Sequence, residues 1–224
     1  MLADARREGG MYKKLKKFAF LFVIFLLSSK AYPQEYKFIG VMGGLAWSWP
    51  DEISMGGIPE AHWEETYRLG AVAGCGIGYS SKYLAFEIDA LFFQKGCRIA
   101  NYYWDGFMGY TYYRLNEVSL PLLFKLSPFS GTSPYFLGGF EFAFVLSHKE
   151  NGPGDHRRDL TQETKKTDYG LIMGAGFRQK VQKCFFYIEG RYHYGLQHLN
   201  KDGDYYYFPY RQMRSFVLLA GFSI

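Results

Sequence analysis

After residue 27 this 224-residue chain has no apolar run long enough for a transmembrane helix. A spanning helix needs roughly 20 apolar residues, so the body of the chain is not a helical membrane protein. Cysteine is scarce. Cys75, Cys97 and Cys184 are odd in number, widely spaced and free of any CxxC pattern. That excludes a disulfide framework and a thiolate metal site, and the three are read as small apolar side chains packed in place. An excess of one charge is also missing. The formal +5 sits wholly in residues 1–34, which hold seven Lys/Arg and two Asp/Glu, while the remaining 190 residues carry 19 of each sign. A neutral body gives no support for a nucleic-acid partner. No His, Cys or acidic spacing marks a metal site, and no cofactor is expected.

What the chain does have is aromatic residues and glycine. Twenty Tyr and 21 Phe bring aromatics to 20%, beside 26 Gly. That mixture favours strands and close backbone approach over helices.

The N-terminus reads as an address. Lys13, Lys14, Lys16 and Lys17 precede the apolar run 18–27, and Ser28, Ser29 and Ala31 follow it. A basic segment, a short apolar core and small residues form a cleavable secretory signal peptide. Cleavage is expected between Ala31 and Glu35, and Met11 is the expected natural start, because residues 1–10 lack signal-peptide character. The alternative is a signal anchor that stays attached. Two parts follow: an N-terminal extension with signal peptide over 1–34, and one β domain over 35–224. An exported chain without a second helix spans a membrane only as a closed barrel, since helices and barrels alone satisfy their backbone in lipid.

The stretch 185–196, FFYIEGRYHYGL, sets the pattern. Phe186, Ile188, Tyr192 and Tyr194 alternate with Tyr187, Glu189, Arg191 and His193. Period-two alternation places the two sets on opposite faces of a strand. The same pattern predicts eight strands, over 36–49, 67–79, 83–99, 111–127, 134–147, 166–181, 185–196 and 210–224. Their connections alternate long and short, with long loops at 50–66, 100–110, 148–165 and 197–208. Pro121 predicts an interrupted ladder and a bulge in the fourth strand. Gly70, Gly74, Gly76 and Gly78 in the second strand, with Gly170, Gly174 and Gly176 in the sixth, predict room for large side chains across the lumen.

An even strand count with alternating connections predicts an all-β, eight-stranded antiparallel up-and-down transmembrane β-barrel in the outer membrane, with both termini in the periplasm. One face of nearly every strand is Phe, Leu, Ile, Tyr or Ala, which suits lipid. Trp47, Trp49, Tyr102, Tyr103, Trp104 and 205–207 fall near strand ends, where interfacial girdles sit. A soluble lipocalin-like periplasmic carrier is the fold-level alternative.

Three strands bear a family resemblance. NEVSLPLLFKLSP (116–128), DYGLIMGAGF (168–177) and IEGRYHYGLQHLN (188–200) resemble strands of the outer-membrane β-barrel domain family that includes the PorT-type proteins. Two departures are the distance from Glu117 to Pro121 and the final Ile224, where a terminal aromatic is usual. The resemblance implies a small outer-membrane barrel that engages the barrel-assembly machinery during biogenesis. Some relatives serve protein secretion or gliding, and most have no assigned activity.

Glu87, Asp89, Lys95, Glu117, Lys125, Glu141, Arg178, Glu189 and Arg191 fall on the inward faces. Charges enclosed in a narrow lumen must pair, so a salt-bridge network is expected there. Its function is read as a polar plug, which makes the protein a non-enzymatic membrane anchor or interaction scaffold. A gated narrow pore is the alternative. An acyl-transfer or other lipid-modifying enzyme would need His193 and Glu189 with Ser147 or Ser215, and no spacing selects them. The loop 148–165 carries Arg157, Arg158 and Lys165, with Lys166 beside it. It is either a solvated, mobile loop or a surface that meets lipopolysaccharide phosphates or a protein partner.

Overall fold

Alternating apolar and polar residues make a ribbon with one greasy face, and closing that ribbon on itself removes its edges. A computed structural model describes residues 36–51, 63–103, 106–129, 132–154, 156–201 and 212–224. The expected signal peptide, its cleavage site, the two candidate starts, Trp104 and residues 205–207 lie outside the described residues. So do the side chains of Tyr102 and Tyr103.

The strands are β1 (Tyr36–Pro50), β2 (Trp63–Ser80), β3 (Leu84–Tyr103), β4 (Gly106–Leu126), β5 (Ser133–Asn151), β6 (Arg157–Asp159), β7 (Thr167–Val181), β8 (Cys184–Gly195) and β9 (Met213–Ser223). All but the short β6 form the barrel wall. Each wall strand pairs antiparallel with its sequence neighbours, β5 pairs β7, and β1 pairs β9 to close the circle. The closed wall is therefore an eight-stranded up-and-down barrel. Among the described residues no helix is long and apolar enough to cross a membrane, which does not bear on crossing by strands.

Outside and inside differ in chemistry. Phe136, Phe140, Phe142, Phe144 and Leu146 project outward from β5, with Phe136 69% exposed. Phe186 and Ile188 do so from β8, while Tyr187, Glu189, Arg191 and His193 on the same strand are buried. A water-facing wall would not leave a row of phenylalanines bare. Lipid solvates them, and this overturns the soluble-carrier alternative.

Three local expectations change. Residues 100–103 and 106–110 are strand, not loop. β3 and β4 continue as a paired ribbon out to Tyr103–Gly106, because Tyr110, Thr111, Tyr112 and Tyr113 prefer extended backbone. Pro121 interrupts the ladder to β3, where the pairing stops at Leu122 and resumes at Ser119, yet the register does not shift. The bulge lies four residues earlier, between Asn116 and Glu117 in the pairing with β5. Among the glycines expected to make room, finally, Gly176 admits the side chain of a directly paired neighbour, and so does Gly221 outside that set. A Cβ on Gly176 would lie 2.6 Å from the Tyr135 ring, and one on Gly221 would lie 2.2 Å from that of Tyr187. Tyr135 pairs with Gly176, and Tyr187 pairs with Gly221.

Candidate functional site

The lumen is filled by two tiers of charge. The lower tier centres on Arg191 of β8, fully buried. Its Nη1 donates to Asp89 Oδ2 at 2.7 Å and its Nε to Glu189 Oε2 at 2.6 Å. Lys125 of β4 donates to Glu87 Oε1 at 2.9 Å and to Glu189 Oε1 at 2.5 Å. The Tyr135 hydroxyl, admitted by Gly176, donates to Glu189 Oε1 at 2.5 Å.

The upper tier centres on Glu141 of β5. Ser119 Oγ donates to its Oε1 at 2.5 Å, and His193 Nδ1 lies 2.9 Å from its Oε2. Lys95 Nζ sits 2.5 Å from Glu117 Oε1 and 3.8 Å from Glu141 Oε1. The His193 ring stands edge-on to Phe93 at 5.3 Å. Asp168 is buried with them. Among the described residues, six buried carboxylates (Glu87, Asp89, Glu117, Glu141, Asp168, Glu189) thus face three buried cations (Lys95, Lys125, Arg191). Each cation is committed to more than one acid, so removing one unbalances several partners.

Arg178 stands lower, half-buried at the short-turn mouth, with its guanidinium 5.7 Å from the Phe185 ring centre. A cavity of about 40 Å³ lies there, lined in part by Arg178, Lys125 and Tyr187. That volume holds a few waters at most.

At the other mouth, the described parts of two long connections, around Leu160 and Leu199, pack into the barrel. Leu160 and Leu199 are fully buried in one cluster with Cys97, Ile99, Tyr113, Leu115 and Met213. Leu160 N–H donates to the His148 carbonyl at 2.8 Å, and His148 Nδ1 lies 2.7 Å from Thr164 Oγ1. Lys165 N–H donates to the Leu199 carbonyl at 2.7 Å, tying the two loops together. The region expected as a solvated loop therefore includes a short strand, β6, and a turn tucked into the barrel mouth. Within it Arg158 pairs with Glu163 at 2.8 Å, while Arg157 and Lys166 are exposed and Lys165 is half-buried. Hydrogen bonds from the Thr161 side chain and backbone N–H hold the Asp159 carboxyl below the usual carboxylate range.

Sequence reasoning did not include Asp168, Ser119 and Tyr135 in the network, and it placed His193 in the lumenal row with Glu189 and Arg191 but beside a tyrosine, where the structure gives it Glu141. The inward parity of Asp168 and His193 was readable, but their contacts depend on register. The sealing pair carried a weaker sign: Leu160 and Leu199 are isolated large apolar residues in polar stretches. Ser215 and Ser147, the imagined nucleophiles, are otherwise engaged. Ser215 Oγ lies 2.8 Å from Ser48 Oγ, and Ser147 Oγ accepts from Asn116 Nδ2 at 3.0 Å. Among the described residues no group of His, Cys, Asp and Glu has the arrangement of a metal site.

A closed barrel of eight antiparallel strands, apolar outside, with paired charges inside and its long loops at one end, defines a transmembrane β-barrel of the outer membrane. The chain belongs to the family described as "Outer membrane protein beta-barrel domain", which matches residues 40–201. The protein is thus an outer-membrane protein, of a class whose short turns face the periplasm and whose long loops face outside. It is similar in fold to neisserial surface protein A, at 16% identity and a TM-score of 0.50, covering 85% of this chain and 97% of that one. It also aligns with the outer membrane protein OprG of Pseudomonas aeruginosa, at 14% identity and a TM-score of 0.49, covering 84% of this chain and 94% of that one. A third alignment is to the attachment invasion locus protein Ail of Yersinia pestis, at 15% identity and a TM-score of 0.39, covering 84% and 99%. No curated protein matches the chain significantly by sequence.

Proposed function

We propose that the barrel is a closed membrane anchor and that its external surface carries the function, as a non-enzymatic interaction scaffold. The observation that carries this is the contact of Arg191 with Asp89 at 2.7 Å. β8 and β3 lie on opposite sides of an eight-stranded circle, so the pair fills the lumen from wall to wall. Serine, acid and histidine do meet at Ser119, Glu141 and His193, but the carboxylate stands between the other two. A nucleophilic serine needs the imidazole against its own hydroxyl, so this order supports a structural role.

The finer form of the proposal is a secretion-associated, PorT-like component, supported by the strand motifs at 116–128, 168–177 and 188–200. In cells, a photo-crosslinkable residue at position 157 or 166 should give discrete protein adducts, and one at position 141 or 193 should give none. Adducts from the lumenal positions alone would overturn the scaffold reading. A deletion strain with normal protein secretion would overturn its PorT-like form.

A further inference from the structure

The outward face of β3, β4, β5 and β6 changes character at one height. On β5 the apolar row runs from Phe136 to Leu146. That is about ten residues at roughly 3.3 Å each, and with a strand tilt of about 40° it rises about 25 Å, the height of the apolar band of such barrels. Directly above it Asn116 and Ser147 form a hydrogen-bonded pair. The next outward pair is Arg114 with Lys149, both exposed.

The bulge between Asn116 and Glu117 creates this pair. Below it the even-numbered residues of β5, such as Phe144 and Leu146, face out, and above it Lys149 does. Without the extra residue, Lys149 would share the inward parity of Glu141. A bulge re-aims side chains in this way and otherwise weakens the ladder.

Around the pair lies a concavity of about 800 Å³. Tyr110 and Tyr112 line it with Arg114, Lys149 and Arg157. Arg98 packs its guanidinium 4.5 Å from the centre of the Tyr110 ring. Two acids also line it, Asp159, which stands opposite Lys149, and Glu150, together with His156. Glu150 pairs with Tyr113 and Arg158 on the inward side, and Asp159 accepts from the Thr161 N–H at 2.9 Å. Arg114, Lys149 and Arg157 therefore outnumber the one outward acid, Asp159, at the level of the outer-leaflet headgroups, with tyrosines beside them.

We propose that this rim is a binding site for the phosphate groups of the outer-leaflet glycolipid, lipid A, with Arg114 and Lys149 as its central cations and Arg157 above them. The phosphates stand where the apolar band ends, and arginine pairs with them through two parallel hydrogen bonds. Tyr110 and Tyr112 cover the adjoining sugar. The site would give the scaffold a fixed lipid neighbour, and it rests on the reading that the external surface carries the function.

The test uses the full barrel in detergent micelles and bisphosphorylated lipid A as the probe. Wild type should bind it saturably. Arg114→Gln with Lys149→Gln and Arg157→Gln should weaken binding by about tenfold or more, since each charge-assisted contact is worth only part of that factor. Arg114→Lys with Lys149→Arg should retain binding, and so should Lys165→Gln with Lys166→Gln. Heat-dependent gel mobility reports that each barrel is folded. Equal binding by the triple variant would overturn the site. Equal binding of dephosphorylated lipid A, or full competition by phosphatidylglycerol, would overturn its assignment to a glycolipid phosphate. Any of these results with crosslinks intact at position 166 would remove the lipid site and leave the scaffold reading standing.

Discussion

Arg191 and Asp89 are 102 residues apart in sequence and meet at 2.7 Å from opposite walls of the barrel. Both side chains are fully buried. The same guanidinium reaches Glu189 on its own strand at 2.5 Å. One arginine therefore ties the seventh wall strand to the third through the middle of the lumen, and Glu189 passes the connection on to Lys125 and Tyr135.

Removing that arginine should be costly. Arg191→Met keeps an unbranched apolar stem, removes the guanidinium, and leaves Asp89 and Glu189 buried with less compensation. Breaking a buried ion pair by taking one partner costs about 3–5 kcal/mol. Urea unfolding in micelles should show a loss of that size. Adding Asp89→Asn and Glu189→Gln to the same chain should recover most of it, because paired neutral groups carry no ionic desolvation penalty. A single variant as stable as wild type would mean that the network contributes nothing.

The Tyr135–Gly176 pair makes a second prediction. Gly176→Val places side-chain atoms where the Tyr135 ring lies, and overpacking of this kind costs about 1–3 kcal/mol. Tyr135→Phe keeps the ring and removes the donor to Glu189, a hydrogen bond to a charged group worth about 1.5–3 kcal/mol. Combining Gly176→Val with Tyr135→Ala should relieve most of the steric part. The measurement is the same unfolding midpoint, and additive losses in that pair would contradict the direct contact.

The loop seal can be read through a thiol. Cys97 is fully buried in the cluster that Leu160 and Leu199 complete. In a chain carrying Cys75→Ser and Cys184→Ser, a membrane-impermeant maleimide added from outside should label Cys97 slowly. Leu160→Ala with Leu199→Ala should raise the labelling rate by about tenfold or more, since local opening loses the apolar contacts that oppose it. Equal rates would show that the two loops do not close the mouth.

The barrel was legible because its signal is local and repeated. Ile188 outside and Glu189 inside follow from period two alone, and so do Phe140 and Glu141. The membrane address followed from the same faces once they were counted over eight strands. What was not legible depends on register and on bulges. Pro121 marked an interruption, but the bulge at Asn116 leaves no single breaker residue, and it is that bulge which turns Lys149 outward. Arg178 shares inward parity with the network residues and stands at the short-turn mouth, because parity fixes a face and not a height. Leu160 gave no periodic signal at all, since a residue in an irregular turn has its burial set by tertiary packing.

The most direct test of the closed-anchor account is electrical. The purified full barrel, inserted in a planar lipid bilayer, should show no steady single-channel conductance in salt, because Arg191, Lys125 and their acids fill the lumen and Leu160 and Leu199 close its outer mouth. A reproducible, steady conductance from the wild-type protein would contradict the account.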